Sequence, residues 1–185
     1  MAMKAKEQIN FLMKKHYENA IIAKNNGEKV GWVTSNFPQE IVQTMDLCVI
    51  YPENHSATAA VKGEDTACCK KAEACGFSND ICSYAKVNIG YSFDNEMISE
   101  KIPEPDYLLC CSNICHQLMK WYKYLEQKFN IPLILIDVPY NTEYETDDVR
   151  LAYIKEQFYE AIRELENITG HKFSEQKFKD IMSIS

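Results

Sequence analysis

Two rhythms of apolar positions run along the chain, one recurring every three to four residues and one of short unbroken runs. Helical spacing appears first over residues 3–26, where Ile9, Leu12, Met13, Tyr17 and Ile21 share a face and Asn25-Asn26-Gly27 ends the run. A short buried strand is predicted in KVGWVTS (29–35), broken by Asn36-Phe37-Pro38. Pro38 suits the first turn of a helix reaching about Met45. Residues 47–51 read as a second strand stopped by Pro52, followed by short helices over 54–60 and 66–75, the latter closed by Gly76. A helix carrying Cys82 extends to Tyr91, and Pro103 and Pro105 mark 92–106 as a connection. Residues 107–111 are strand-like, and a helix from Cys115 then shows Leu118, Trp121, Tyr122, Leu125 and Phe129 as one stripe. IPLILIDVP (131–139) is the most pronounced strand, and its apolar run predicts burial on both faces. A long helix over 145–169 keeps Leu151, Ile154, Phe158, Ala161, Leu165 and Ile168 in register up to Gly170, and a last helix begins near Ser174.

Strands alternating with helices imply crossover connections and therefore a doubly wound α/β fold, a mostly parallel sheet flanked by helices of the Rossmann or flavodoxin type. The expected divisions are an N-terminal helix (1–27), an α/β domain (28–140) and a helical segment (141–185) leading toward a second domain, so that the chain reads as part of a longer subunit. Composition narrows the function classes. A net charge of −7 with scattered lysines argues against a nucleic-acid partner, because such surfaces cluster Lys and Arg. The charged N-terminus is unlike a signal peptide, and no apolar window reaches membrane-spanning length, so a cytoplasmic protein without membrane contact is expected. Eight cysteines are more than packing requires in a reducing compartment, which points to metal or redox chemistry. No CxxC occurs, which weakens zinc-ribbon, thioredoxin-like and ferredoxin readings together.

Cys82 follows Ser78-Asn79-Asp80 and Cys115 follows Ser112-Asn113, each at the predicted start of a helix. Thiols at helix N-termini are more readily ionised and suit metal binding. In an open α/β sheet, ligands bind beyond the carboxyl ends of the strands. Three turns fall there: Thr34-Ser35-Asn36, Pro52-Glu53-Asn54-His55, and Ser112-Asn113 leading to Cys115. Ser35, Glu53 and His55 would thus join two thiols at one end of the sheet. The remaining cysteines have plainer readings. Cys48 fits a strand core, Cys68, Cys69 and Cys75 share a short helix as packing or exposed thiols, and Cys110 and Cys111 alternate across a strand with Cys111 as a reserve ligand. Trp121 belongs to the core stripe, and Glu143, Glu145, Asp147 and Asp148 read as a charged first helical turn.

The runs VGWVTSNFPQEIV, YPENHSA, CSYAKVNIG and PEPDYLLCCSNICHQLMKWY resemble the N-terminal domain of the 2-hydroxyacyl-CoA dehydratase and benzoyl-CoA reductase family, the 2-hydroxyglutaryl-CoA dehydratase D-component in particular. The resemblance covers about residues 28–140. It implies an iron–sulfur lyase that removes water from a 2-hydroxyacyl-CoA, acting in a heterodimer with a homologous subunit. It further implies an ATP-hydrolysing iron–sulfur activator, which supplies one electron so that a ketyl radical of the thioester expels the hydroxyl group. By motif, Cys82 and Cys115 would hold a [4Fe-4S] cluster together with a third cysteine from a second domain, absent from this chain. Ser35 would hydrogen-bond the substrate, Glu53 would orient its hydroxyl or move a proton, and His55 would assist. Two other readings remain: an ATP-dependent reductase of aromatic acyl-CoA, and a non-catalytic metal-binding or thiol-sensing scaffold using the cysteines at 68, 69 and 75.

Overall fold

Four short runs of apolar and β-branched residues form the sheet: β1 (Val30–Val33), β2 (Cys48–Ile50), β3 (Tyr107–Cys111) and β4 (Leu133–Ile136). In the computed structural model, which describes residues 4–142, 145 and 147–185, they lie in the order β2-β1-β3-β4. All pairings are parallel, with Val33 opposite Leu109 and Cys111 opposite Ile136. Eight helices are described: α1 (Ala5–Asn25), α2 (Gln39–Thr44), α3 (Pro52–Lys62), α4 (Asp65–Ala74), α5 (Ser83–Phe93), α6 (His116–Phe129), α7 (Asp148–Thr169) and α8 (Glu175–Met182).

Strand alternation sends neighbouring residues to opposite faces, and each face has its own core. Trp32, Leu108 and Cys110 pack with Tyr17 of α1, Ala59 of α3, Ala85 of α5 and Tyr122 of α6. Val33, Leu109 and Ile136 pack on the other side with Ile41 of α2 and Ala161 and Leu165 of α7. The fold is therefore the doubly wound parallel α/β arrangement that the alternation of elements predicts. From β1 the chain moves outward to β2. It then returns through α3, α4 and α5 to place β3 on the other flank of β1. The order reverses between β1 and β3, and there the loops diverge and leave a crevice.

Three local expectations change. The 131–139 run is an edge strand and not a strand buried on both faces: Leu135 is 41% exposed, while Ile134 and Ile136 are buried against α7. Pro52 does not only stop β2 but occupies the first position of α3, so Glu53 sits in the first helical turn, not in a loop. The 143–148 acidic run divides. Glu143 lies outside the described residues, whereas Asp147 caps α7 by accepting from the Arg150 amide at 2.7 Å.

His55 proves to be a core residue. It is fully buried, Nε2–H donates to the Glu100 carbonyl at 2.7 Å, and the ring meets Tyr91 and Tyr17 edge-on at centroid distances of 4.8 and 5.9 Å. Nδ1 is buried with no partner among the described residues, so a second proton would have no acceptor. Burial holds the imidazole below its ordinary value of 6.5 and outweighs the Glu100 carbonyl. The unfolded chain therefore binds more protons than the folded one below that value, and stability rises with pH across the window. Urea unfolding should show a loss on the order of 1 kcal/mol as pH falls from about 7 to 5.5. The slope should shrink in His55→Gln. An unchanged slope would assign the effect to other groups, of which His16, also lowered by burial, is the first to check.

Candidate functional site

The site grows from the chain leaving β1. Thr34 is still tied to β3, its amide donating to the Leu109 carbonyl at 3.0 Å, and the next residue turns outward. Ser35 then meets the start of α3: its amide donates to Glu53 Oε2 at 2.7 Å and its hydroxyl to Oε1 at 3.0 Å. Glu53 gains a second source of support as an acid in the first turn of α3, near unpaired helix N–H groups. The carboxylate is thus fixed by two donors from another loop and keeps lone pairs for a third partner.

Cys82 is the N-cap residue of α5 and Cys115 that of α6. Neither thiol takes part in capping, and both are exposed. Each sits on a turn held from outside. Lys86 Nζ, itself buried, donates to the Asn79 carbonyl at 2.9 Å and to Glu73 Oε1 at 2.8 Å, which fastens the turn before Cys82. Ahead of Cys115, Ser112 Oγ accepts from the Val138 amide at 2.7 Å and donates to Asp137 Oδ1 at 2.8 Å. Tyr153 completes that network by donating to Asp137 Oδ2 at 2.9 Å. On the other side, Asn36 Nδ2 donates to Asn113 Oδ1 at 2.8 Å, linking the turns after β1 and β3.

Between these elements lies a cavity of about 370 Å³, lined by Glu53, Cys82 and Cys115 together with Gln117 and with apolar and aromatic residues that include Leu118 and Trp121. Of the five sequence-predicted site residues, three therefore share one wall. Ser35 reaches it through Glu53, and His55 does not line it. Cys110 and Cys111 are both buried, and burial pushes each thiol up to about 12; Cys111 packs on the opposite face of the sheet and does not stand as a reserve ligand. Cys68 is fully buried with its thiol pushed up to about 11, and Cys69 is raised by burial too, so neither offers a ready thiolate. Tyr122, fully buried, keeps its phenol uncharged: burial, and then Glu53 and Cys110, hold it well above its ordinary value. The clasp through Asn36, Ser112 and Asp137 escapes a reading of the sequence, where the one visible signal is the Ser-Asn pair before Cys115.

Two exposed thiols on one cavity wall fit part of an iron–sulfur ligand set. Among the described residues no group of three or more His, Cys, Asp or Glu side chains stands together to hold a metal ion. No described helix is long and apolar enough to cross a membrane.

Comparison with known proteins gives a consistent answer. Residues 34–185 match the family described as 2-hydroxyglutaryl-CoA dehydratase, D-component. The chain is 50% identical to the (R)-phenyllactyl-CoA dehydratase alpha subunit of Clostridium sporogenes, over 98% of its own length and 45% of the relative's. It is 46% identical to the (R)-2-hydroxyisocaproyl-CoA dehydratase alpha subunit of Clostridioides difficile, over 98% of this chain and 44% of that one. A more distant match is a benzoyl-CoA reductase subunit of Thauera aromatica, 26% identical over 92% of this chain and 40% of the relative. The chain spans a little under half the length of these curated relatives. With the family model covering most of its residues, the chain belongs to the 2-hydroxyglutaryl-CoA dehydratase D-component family.

Proposed function

We propose that this chain forms the cluster-side and substrate-side wall of a 2-hydroxyacyl-CoA dehydratase subunit, converting a 2-hydroxyacyl-CoA to the 2-enoyl-CoA in the cytoplasm. The observation that carries the reading is the meeting of Cys82, Cys115 and Glu53 around one cavity at the β1/β3 crevice. Cys82 and Cys115 would hold a [4Fe-4S] cluster, with further ligation from outside the described residues. When bound, such a group would supply a low-potential electron and Lewis acidity toward the substrate oxygen. This chain's own residues do the remaining work. Glu53, fixed by Ser35, accepts a hydrogen bond from the substrate hydroxyl or takes a proton beside it. The clasps at Asn79 and at Ser112–Asn113 hold the two thiols at a set separation, which lowers the ordering cost of ligation.

The partners in this reading are a homologous second subunit, as the alpha-subunit names of the relatives suggest, and an ATP-hydrolysing iron–sulfur activator. Eight free thiols accord with a reducing compartment. The reductase alternative draws on the more distant benzoyl-CoA reductase match. Dehydration without net reduction of the thioester separates the two reactions.

The test uses the full-length subunit with its partner, prepared without oxygen. Cys82→Ala and Cys115→Ala should each lose most of the bound iron and the brown colour, while Cys69→Ala keeps both. Iron retained in both cavity variants would overturn the assignment, and iron lost with Cys69→Ala would move it to the scaffold reading.

A further inference from the structure

Helix α1 outruns the domain it belongs to. Among the described residues its core-facing stripe first meets another element at Met13, whose Sδ lies 3.6 Å from the Thr58 hydroxyl of α3. The stripe continues through His16, stacked on Tyr51, to the buried Tyr17, Ala20 and Ala23. Ahead of Met13, every residue from Lys4 to Leu12 is exposed. Ile9 precedes Met13 by one helical turn and Leu12 precedes His16 by one, so both extend the same stripe beyond the fold, where they stand 64% and 62% exposed. The sequence places them on a face with Tyr17, but the domain covers that face only from Met13 onward. What projects is an arm of roughly two and a half turns, about 13 Å in length. The Lys4 amide donates to Glu7 Oε2 at 3.0 Å, a bond within the arm itself. A helical segment this short gains little from propensity alone and is held by what packs on it.

Charge and symmetry narrow what packs there. Residues 4–15 hold Lys4, Lys6, Lys14 and Lys15 against the single acid Glu7, on a chain of net charge −7. The arm is thus a basic, apolar projection from an acidic protein, and its charge suits an acidic protein surface. Phe11, 57% exposed, lies on the side of the helix opposite Ile9, so apolar groups face both ways. A helix lying on a lipid surface keeps its apolar groups on one face, whereas an arm enclosed by a protein groove uses both. The two dehydratase alpha subunits match 98% of this chain, which leaves fewer residues unmatched than the arm contains. We infer that the N-terminal arm of α1 docks into an acid-rimmed apolar groove of the second subunit, with Ile9 and Leu12 as its anchors and the lysines at the rim. The identity of that subunit rests on the dehydratase reading. A standard interface takes about 800 Å² from each partner, and an enclosed arm of this length supplies its central, water-excluding part.

The experiment follows association of the full-length subunit with its partner by interferometry and sedimentation. Ile9→Glu combined with Leu12→Glu should weaken binding at least about 100-fold. Both side chains are exposed in the domain, so the melting temperature of the variant subunit alone should stay within about 2 °C of the parent. Lys4→Glu combined with Lys6→Glu should slow association roughly tenfold at low salt and lose that effect at high salt. Acids in a first helical turn support a helix, so this loss would not be one of folding. Ile22→Glu, at an exposed apolar position near the other end of α1, should leave association unchanged. Absent association of the parent, or association unmoved by the Ile9 and Leu12 changes, would overturn the inference. So would a lower melting temperature of the lone variant, which would place the arm against its own subunit, or a parent subunit that dimerises by itself through the arm. Arm-dependent binding to vesicles of phosphatidylglycerol would overturn it in favour of a lipid surface. The dehydratase reading is tested apart from these, by adding reduced activator and a 2-hydroxyacyl-CoA to the assembled pair. Arm-dependent assembly without enoyl product would retain the interface and discard the reaction.

Discussion

Replacing Gly90 with alanine is expected to lower the melting temperature by roughly 6–12 °C, through a loss of about 3 kcal/mol. A methyl group at this position in α5 would stand 2.1 Å from the carbonyl oxygen of Cys68, 2.6 Å from its carbonyl carbon and 2.8 Å from its Cα. These are backbone atoms of α4, so relief requires the two helices to part. Mid-helix Gly→Ala changes otherwise stabilise by up to about 1 kcal/mol, and the steric cost is several times larger. The same displacement would carry Cys82 with it, because that residue begins α5. Thermal unfolding followed by circular dichroism checks the effect. A melting temperature equal to or above that of the parent would mean that α4 and α5 do not pack backbone to backbone.

In the assembled enzyme, Glu53→Gln should reduce kcat by about 10²–10⁴-fold with a smaller change in KM, the range associated with removing a positioned acid or base. Glutamine retains the size and one acceptor oxygen but not the charge, so the loss reports on the carboxylate itself. Ser35→Ala should cost less, because the Ser35 amide still donates to Glu53 Oε2 when the hydroxyl is gone. Combining the two changes should cost little more than Glu53→Gln alone, since the serine acts through the carboxylate. Additive losses would instead place Ser35 in direct contact with the substrate.

Much of the fold is legible in the sequence because each element obeys a local rule. Gly170 ends α7 with φ +76°, as its place after the last apolar position indicates, and Ser174 caps α8 by accepting from the Lys177 amide. The errors arise where neighbours decide. The Leu133–Ile136 run has the composition of a central strand, but strand order is a property of the whole sheet, and an edge position leaves Leu135 without cover. Cys110 and Cys111 alternate as β geometry requires, yet which face looks toward the Cys115 helix depends on register with β1 and β4. His55 sits in the first turn of α3 beside Glu53, so sequence proximity suggests a shared task. The helix instead turns the imidazole into the core, where Tyr17, Tyr91 and the Glu100 carbonyl enclose it. The clasp on the Cys115 turn joins Ser112 to Asp137 and Asn36 to Asn113, pairs separated by 25 and 77 residues, and no local pattern encodes such partners.

The two tryptophans occupy different environments within one core. Trp32 is enclosed beneath the sheet with Phe129 edge-on at 5.7 Å, while Trp121 forms part of the cavity wall with its N–H held by Asn88. The protein thereby carries two optical signals of separate origin. Emission from Trp32 follows the integrity of the core, and emission from Trp121 follows what fills the cavity. With Trp32 replaced by phenylalanine the remaining emission reports on the cavity wall, and with Trp121 replaced it reports on the core, so the pair of variants distinguishes occupancy from unfolding without an added label.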